Sequence, residues 1–331
     1  MKKKLLVILL GICIAVASAF ALTACGETET PDSGNGGSGT PSESQTPDPA
    51  PGDGIEYKLL GDDTYEVSGY TGTATELTIP STHEGKNVTG IGQNAFFRND
   101  DLTSVTISDG VKSIGSGAFR ECKALTNVTI PSDVTDIGTN AFESCNNLKY
   151  NEYDNAYYIG NTANPYLVLM KAKNKDITVC EINANAKLIY NDAFWKCVGL
   201  TSVTIPSGVT VIGSSAFSAC GNLASVIIGK NVTKICSNAF SGCANLTDVT
   251  IPSGVKTIET YAFRYCTGLT SVTIPSGVTK LGRYVFGGCN KSLAINCEAG
   301  SAPDGWDKMW DNREEADNKY ATYTVNWNYE A

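Results

Sequence analysis

The sequence predicts a β-rich α/β solenoid of about eight 23-residue coils, with an inserted β-hairpin and a cap at each end. Three observations carry this. Phe96, Phe119 and Phe142 stand 23 residues apart, and Phe194, Phe217, Phe240, Phe263 and Phe286 resume the same interval. The same apolar positions recur around each Phe, and self-similarity at a fixed period is the signature of stacked repeats. The 331 residues include 33 Gly but only 3 Met, and no long apolar run follows residue 22. That balance fits strands and turns.

In chain order, the first element is an address. Lys2, Lys3 and Lys4 precede an apolar run from Leu5 to Ala21, and Leu22-Thr23-Ala24-Cys25 follows at once. This is the layout of an export leader, residues 1–24. Its last four residues resemble a bacterial lipobox. The resemblance implies cleavage before Cys25 and a diacylglycerol on its sulfur, which would hold the chain on the outer face of a bacterial membrane. Residues 25–54 follow as a tether of Gly, Ser, Pro, Thr and six acids, without a base or a large apolar side chain. Such a segment cannot bury enough surface to offset its ordering entropy. Residues 55–75, with Tyr57, Leu59, Tyr65, Val67 and Tyr70, are expected to form an N-terminal hairpin cap.

The repeats occupy residues 76–297. One unit reads Leu200-x-x-Val203-x-Ile205-Pro206-x-x-Val209-x-x-Ile212-Gly213-x-x-Ala216-Phe217-x-x-Cys220. Val203 and Ile205 alternate with Ser202 and Thr204, so a short strand buries one face. Pro206-Ser207-Gly208 turns the chain. Val209 and Ile212 point inward again, and Phe217 fills the core from a compact turn. About eight apolar positions per coil cannot make a core alone, but stacked coils bury them together. The period and strand pattern fall in the leucine-rich repeat range. They resemble the BspA-like, or Treponema pallidum-type, repeats of bacterial surface proteins. Departures are local: Ser108 and Gly229 replace the strand-end Pro, Cys236 and Glu259 replace the Gly after Ile, Val285 replaces Ala, and Asn99 replaces the first Cys. The first coil carries five extra residues that include His83.

An insertion at about 148–176 separates Phe142 from Phe194. Tyr157-Tyr158-Ile159 and Tyr166 to Met170 are strand-like, with turn signals between them. They predict a protruding hairpin, in which Tyr157, Tyr158 and Tyr166 are candidate ligand contacts. Residues 298–331, with Trp306, Met309, Trp310, Tyr320, Tyr323, Trp327 and Tyr329, are expected to close the far end.

Seven of the 12 Cys lie three residues after a repeat Phe: Cys122, Cys145, Cys197, Cys220, Cys243, Cys266 and Cys289. Their number is odd and their side chains point the same way. We therefore expect buried thiols rather than disulfides. No C-x-x-C pair occurs, so a zinc site is not expected, nor is any cofactor.

The formal charge is −9, and it belongs to the ends: residues 55–297 hold 20 acids and 19 bases. A phosphate-binding surface needs clustered Lys and Arg, so nucleic acid is not an expected partner. One His leaves little room for a triad or a histidine metal site, and no convergent carboxylate pair marks a hydrolase. The outward strand positions instead form columns. Ser202, Ser225 and Ser271 stand in one, and Thr106, Thr129, Thr204, Thr250 and Thr273 in the next. These hydroxyls are the candidate ligand face, suited to many weak contacts with a protein or a glycan. The family resemblance implies adhesion to host matrix or other cells. Docking of other exported proteins is the alternative.

Overall fold

The computed structural model describes residues 54–311 and 323–330. The expected leader, the acylation at Cys25, the tether and Tyr320 lie outside the described residues.

Each coil contributes two short parallel strands and a turn. In the strand Ser202–Thr204, Val203 is buried and its neighbours are exposed. It pairs in register with Ser225–Ile227, so that Ser202 faces Ser225 and Thr204 faces Ile227. A parallel ladder at a constant 23-residue offset places equivalent side chains one strand spacing apart, about 4.8 Å. The ladder runs through Asp248–Thr250, Ser271–Ile274, Ala294–Cys297 and Thr324–Trp327. A three-stranded counterpart holds Glu76–Ile79, Ser104–Ile107 and Asn127–Thr129. After the first coil, the second strand of a coil is two residues long, as in Val211–Ile212 and Lys234–Ile235, and buries the second residue. The repeat Phe rings stack through the core, with centroids 5.0 Å apart for Phe194–Phe217 and 5.2 Å for Phe217–Phe240.

The expected α component is missing: the described residues contain no helix. The third side of every coil is a turn in which two residues four apart take positive φ. The first column is Asn94, Gly117, Asn140, Asp192, Ser215, Asn238, Tyr261 and Tyr284; the second is Arg98, Glu121, Ser144, Lys196, Ala219, Gly242, Tyr265 and Gly288. This backbone turns alternate N–H groups toward the following coil. Asp192, Phe194 and Lys196 thus donate to the carbonyls of Ser214, Ala216 and Ser218. The hydrogen bonds that a helix would make within itself are replaced by a third ladder between coils, which satisfies the buried backbone.

The insertion differs from its expectation. It forms three strands, Asn151–Tyr153, Ala156–Ile159 and Val168–Ala172, and the last pairs in parallel with Leu188–Ile189. It does not protrude, because both of its faces are covered. Ala156, Tyr158 and Leu169 belong to the core of the second array, while Ile159, Leu167, Val168 and Met170 belong to the core of the first. The insertion is a wall shared by two stacks, one ending at Leu148 and the other beginning at Ile177. Leu188 and Val211, on the outer side of the second array, are buried against the first core.

The hairpin Ile55–Leu59 and Tyr65–Tyr70 lies on the first coil through a parallel pairing with Lys86–Ile91. His83 stacks on Tyr57 with ring centroids 3.7 Å apart. At the far end Trp306 and Trp310 are buried, and the Tyr323 hydroxyl donates to the Phe286 carbonyl at 2.6 Å. All ten described cysteines are free thiols.

Candidate functional site

The strand alternation that buries Val203, Val226 and Val249 turns the intervening side chains outward. Ser202, Thr204, Ser225, Thr250 and Ser271 are exposed, and Thr273 is half-buried. The register brings Thr250 against Thr273 and Ser202 against Ser225. Asp248 continues the Ser column and Ile227 interrupts the Thr column, with 60% of its surface exposed. Beyond Thr273 the column continues as Asn296 and Asn326, joined by an amide hydrogen bond of 2.8 Å.

Thr106 and Thr129 do not join this ladder. They face each other on the separate three-stranded sheet, where Thr129 also bridges Gly160 of the insertion. Between the two sheets, Glu181 accepts a hydrogen bond from the Tyr153 hydroxyl at 2.8 Å. The candidate face is thus two hydroxyl-bearing patches with the insertion between them. Neither patch holds an activated nucleophile or a paired acid and base. What each offers is a row of donors and acceptors at a fixed repeat, able to follow an extended ligand.

The three insertion tyrosines separate. Tyr158 is fully buried, with its hydroxyl accepting from the Asn183 N–H at 3.2 Å, and so cannot touch a ligand. Burial raises the pKa of its phenol. Tyr166 is half-buried and packs edge-on against Tyr153 and Tyr158. Tyr157 is half-buried beside Tyr150, with Lys171 and Lys173 over its ring.

Sequence reading overlooked a second group, on the turn side. Phe97 and Trp195 are exposed directly after a repeat Phe, and Tyr265 is exposed one residue further on. Each has a basic neighbour over its ring: Arg98 at 4.9 Å, Lys196 at 4.3 Å and Arg264 at 4.5 Å. The local signal is an aromatic beside a base just past the Phe, where the other coils place small or polar residues.

The chain matches the family described as BspA type leucine rich repeat region, in six copies, over residues 70–165 and 172–294. Among solved structures it is similar to a leucine rich cell surface protein from Faecalibacterium prausnitzii, at 24% identity over 76% of this chain and 95% of that one, with a TM-score of 0.42. It is also similar to the T. pallidum leucine rich repeat protein, at 25% identity over 66% and 90% of the two chains, with a TM-score of 0.37. The pneumococcal vaccine antigen PcpA is 16% identical over 86% and 91%, with a TM-score of 0.45. No curated protein matches the chain.

Proposed function

The chain belongs to the BspA-type leucine-rich repeat family, and from that premise we propose that it is a bacterial surface protein that recognises a protein or glycan of a host or of another cell. In this reading residues 1–24 are removed and a lipid on Cys25 anchors the protein. Residues 25–54 hold the solenoid off the membrane. The observation that supports recognition is the exposed hydroxyl ladder from Ser202 to Thr273. Its serines and threonines stand in register on a rigid sheet, so an extended ligand can make many weak contacts without ordering a loop. No catalytic step is part of the proposal.

A matrix-protein and glycan array probed with the full-length chain tests it. Thr204→Arg combined with Thr250→Arg is expected to lower binding at least tenfold, because two large cations interrupt the row while their exposure spares the fold. Thr257→Arg, on the other strand row, should bind as the parent does. Binding that survives the double substitution removes the sheet from the proposal. Co-purification of defined bacterial envelope proteins, with no array ligand, favours a docking scaffold instead. Radiolabelled palmitate entering the parent and not Cys25→Ala tests the anchor separately.

A further inference from the structure

The turn ladder has a direction, and the insertion breaks it. In the uninterrupted coils, alternate N–H groups of each turn donate to alternate carbonyls of the next. The turn at Asn140–Ser144 uses its carbonyls in this way: Ala141 and Glu143 accept from Phe119 and Glu121. Its own N–H groups face the insertion. The carbonyls that regular spacing would place opposite them are those of Asn191, Ala193 and Trp195. Two of these are taken by the insertion, Ala193 by the Ala172 N–H and Trp195 by the Lys175 ammonium. Phe142 N–H finds the Tyr190 hydroxyl at a long 3.4 Å. The Asn140 and Ser144 amides have no protein acceptor among the described residues. Open N–H groups where a turn passes between right- and left-handed backbone, as at Asn140, make a concavity that can bind an anion.

A cleft of about 320 Å³ opens at this break. Asn140 and Glu143 line one side, Lys171 and Lys175 another, and Trp195 with Tyr150 a third. Lys171 lies 4.6 Å from the Tyr150 ring centre and makes no ion pair among the described residues. Trp195 is 41% exposed. Of the two acids at the cleft, Glu143 is paired with Arg120 at 2.9 Å. Asp192 is left as an acceptor at the rim. Its surroundings desolvate the carboxyl and raise its pKa, with Lys175 acting in the opposite direction.

We propose that this cleft binds the carboxylate-bearing ring of an acidic glycan, a hexuronic or sialic acid. The carboxylate meets Lys171, Lys175 and the open Asn140 N–H. The apolar face of the ring lies against the aromatic wall, and its hydroxyls reach Asp192 and the Asn140 side-chain amide. An inorganic anion would leave the aromatic wall unused, and a neutral sugar would leave the cations unpaired. The cleft lies at the junction of the two arrays, apart from the hydroxyl ladder, and the proposal does not depend on that ladder.

Full-length chain is titrated with glucuronic acid and N-acetylneuraminic acid, and in parallel with glucose, sodium sulfate and a pentaglutamate peptide. The expected result is saturable binding of an acidic sugar, with a shift of the Asn140 amide resonance. Lys171→Gln should weaken it about tenfold, the loss expected of one charge-assisted contact. Lys171 is exposed, so thermal unfolding of that variant should match the parent. Trp195→Ala should weaken acidic sugars and leave sulfate unchanged, whereas Thr204→Arg should change nothing. Glucose binding as well as glucuronic acid, sulfate binding as tightly as either acid, pentaglutamate binding more tightly, or no binding at all would each overturn the proposal.

Discussion

At the scale of the residue, two repeated positions decide how the coils fit. Six of the seven thiols three residues after a repeat Phe donate to the carbonyl of the Phe one coil earlier, as Cys122 does to Phe96 and Cys220 to Phe194, both at 3.0 Å, whereas Cys197, which follows the insertion, reaches the Asn174 carbonyl at 3.9 Å. A small side chain with a weak donor suits a buried carbonyl near which a larger residue would not pack. Burial pushes these thiols up, to about 11 for Cys122 and about 12 for Cys145, Cys220 and Cys289, from an ordinary 9.0. The unfolded chain therefore ionises before the folded one. The stabilisation is complete below pH 9 and is lost as pH rises toward the folded values. Each such thiol should remove about 1 kcal/mol of stability between pH 9 and 10. Urea midpoints under reducing conditions check this: Cys220→Ser should make the pH slope shallower by about one proton, and an unchanged slope contradicts it. The left-handed turn positions give a second test. Ala219 has φ 59°, which an L side chain tolerates poorly, so Ala219→Gly should stabilise by about 0.5–1 kcal/mol in spite of the entropy of Gly. Gly242→Ala should cost about 1 kcal/mol, although the nearest atom to its new Cβ is 3.5 Å away, because φ 76° and not space is the obstacle. Equal urea midpoints for both variants would remove the strain argument.

At the scale of the element, the insertion is where stability concentrates. Tyr158 is fully buried in the second core and its hydroxyl holds the Asn183 amide. Tyr158→Ala should cost about 3–5 kcal/mol, and Tyr158→Phe only about 1 kcal/mol. A loss under 1 kcal/mol for the Ala variant, measured by denaturant unfolding, would return the insertion to a surface spur. The coils were legible because each inward residue recurs at one offset, and a strand such as Ser202–Thr204 shows its buried face by alternation alone. The columns from Ser202 to Thr273 were legible for the same reason. The insertion was not, since Tyr157-Tyr158-Ile159 carries no alternation. Its burial depends on two cores meeting there, which no local pattern records. The turn columns lay between these cases. Asn94, Asn140, Asp192, Asn238 and Gly117 are residue types that tolerate left-handed backbone, but Tyr261 and Tyr284 in the same column hide the rule.

At the scale of the whole molecule, the repeats should behave as a chain of neighbours, with the insertion as the strongest link. In a solenoid, stability is approximately a sum of coil terms and interface terms. Deleting residues 247–269 removes one coil and rejoins Leu246 to Thr270 in register. The shortened chain should still unfold in one transition at a lower urea midpoint. The junction is different, because Leu188 leaves the second array to enter the first core and is only 3% exposed. Leu188→Asp places a charge in that seam, at a cost of about 3–5 kcal/mol, and should uncouple the two stacks. All four Trp, at 195, 306, 310 and 327, lie in the second array or its cap, whereas far-ultraviolet circular dichroism reports both arrays. In the parent the two signals should change together. In Leu188→Asp the dichroism should lose amplitude at a urea concentration where the fluorescence does not, because the first array, with fewer coils, melts alone. Coincident curves in that variant would mean that the two arrays stay coupled without Leu188, and that this seam is not what joins the two hydroxyl patches into one unit.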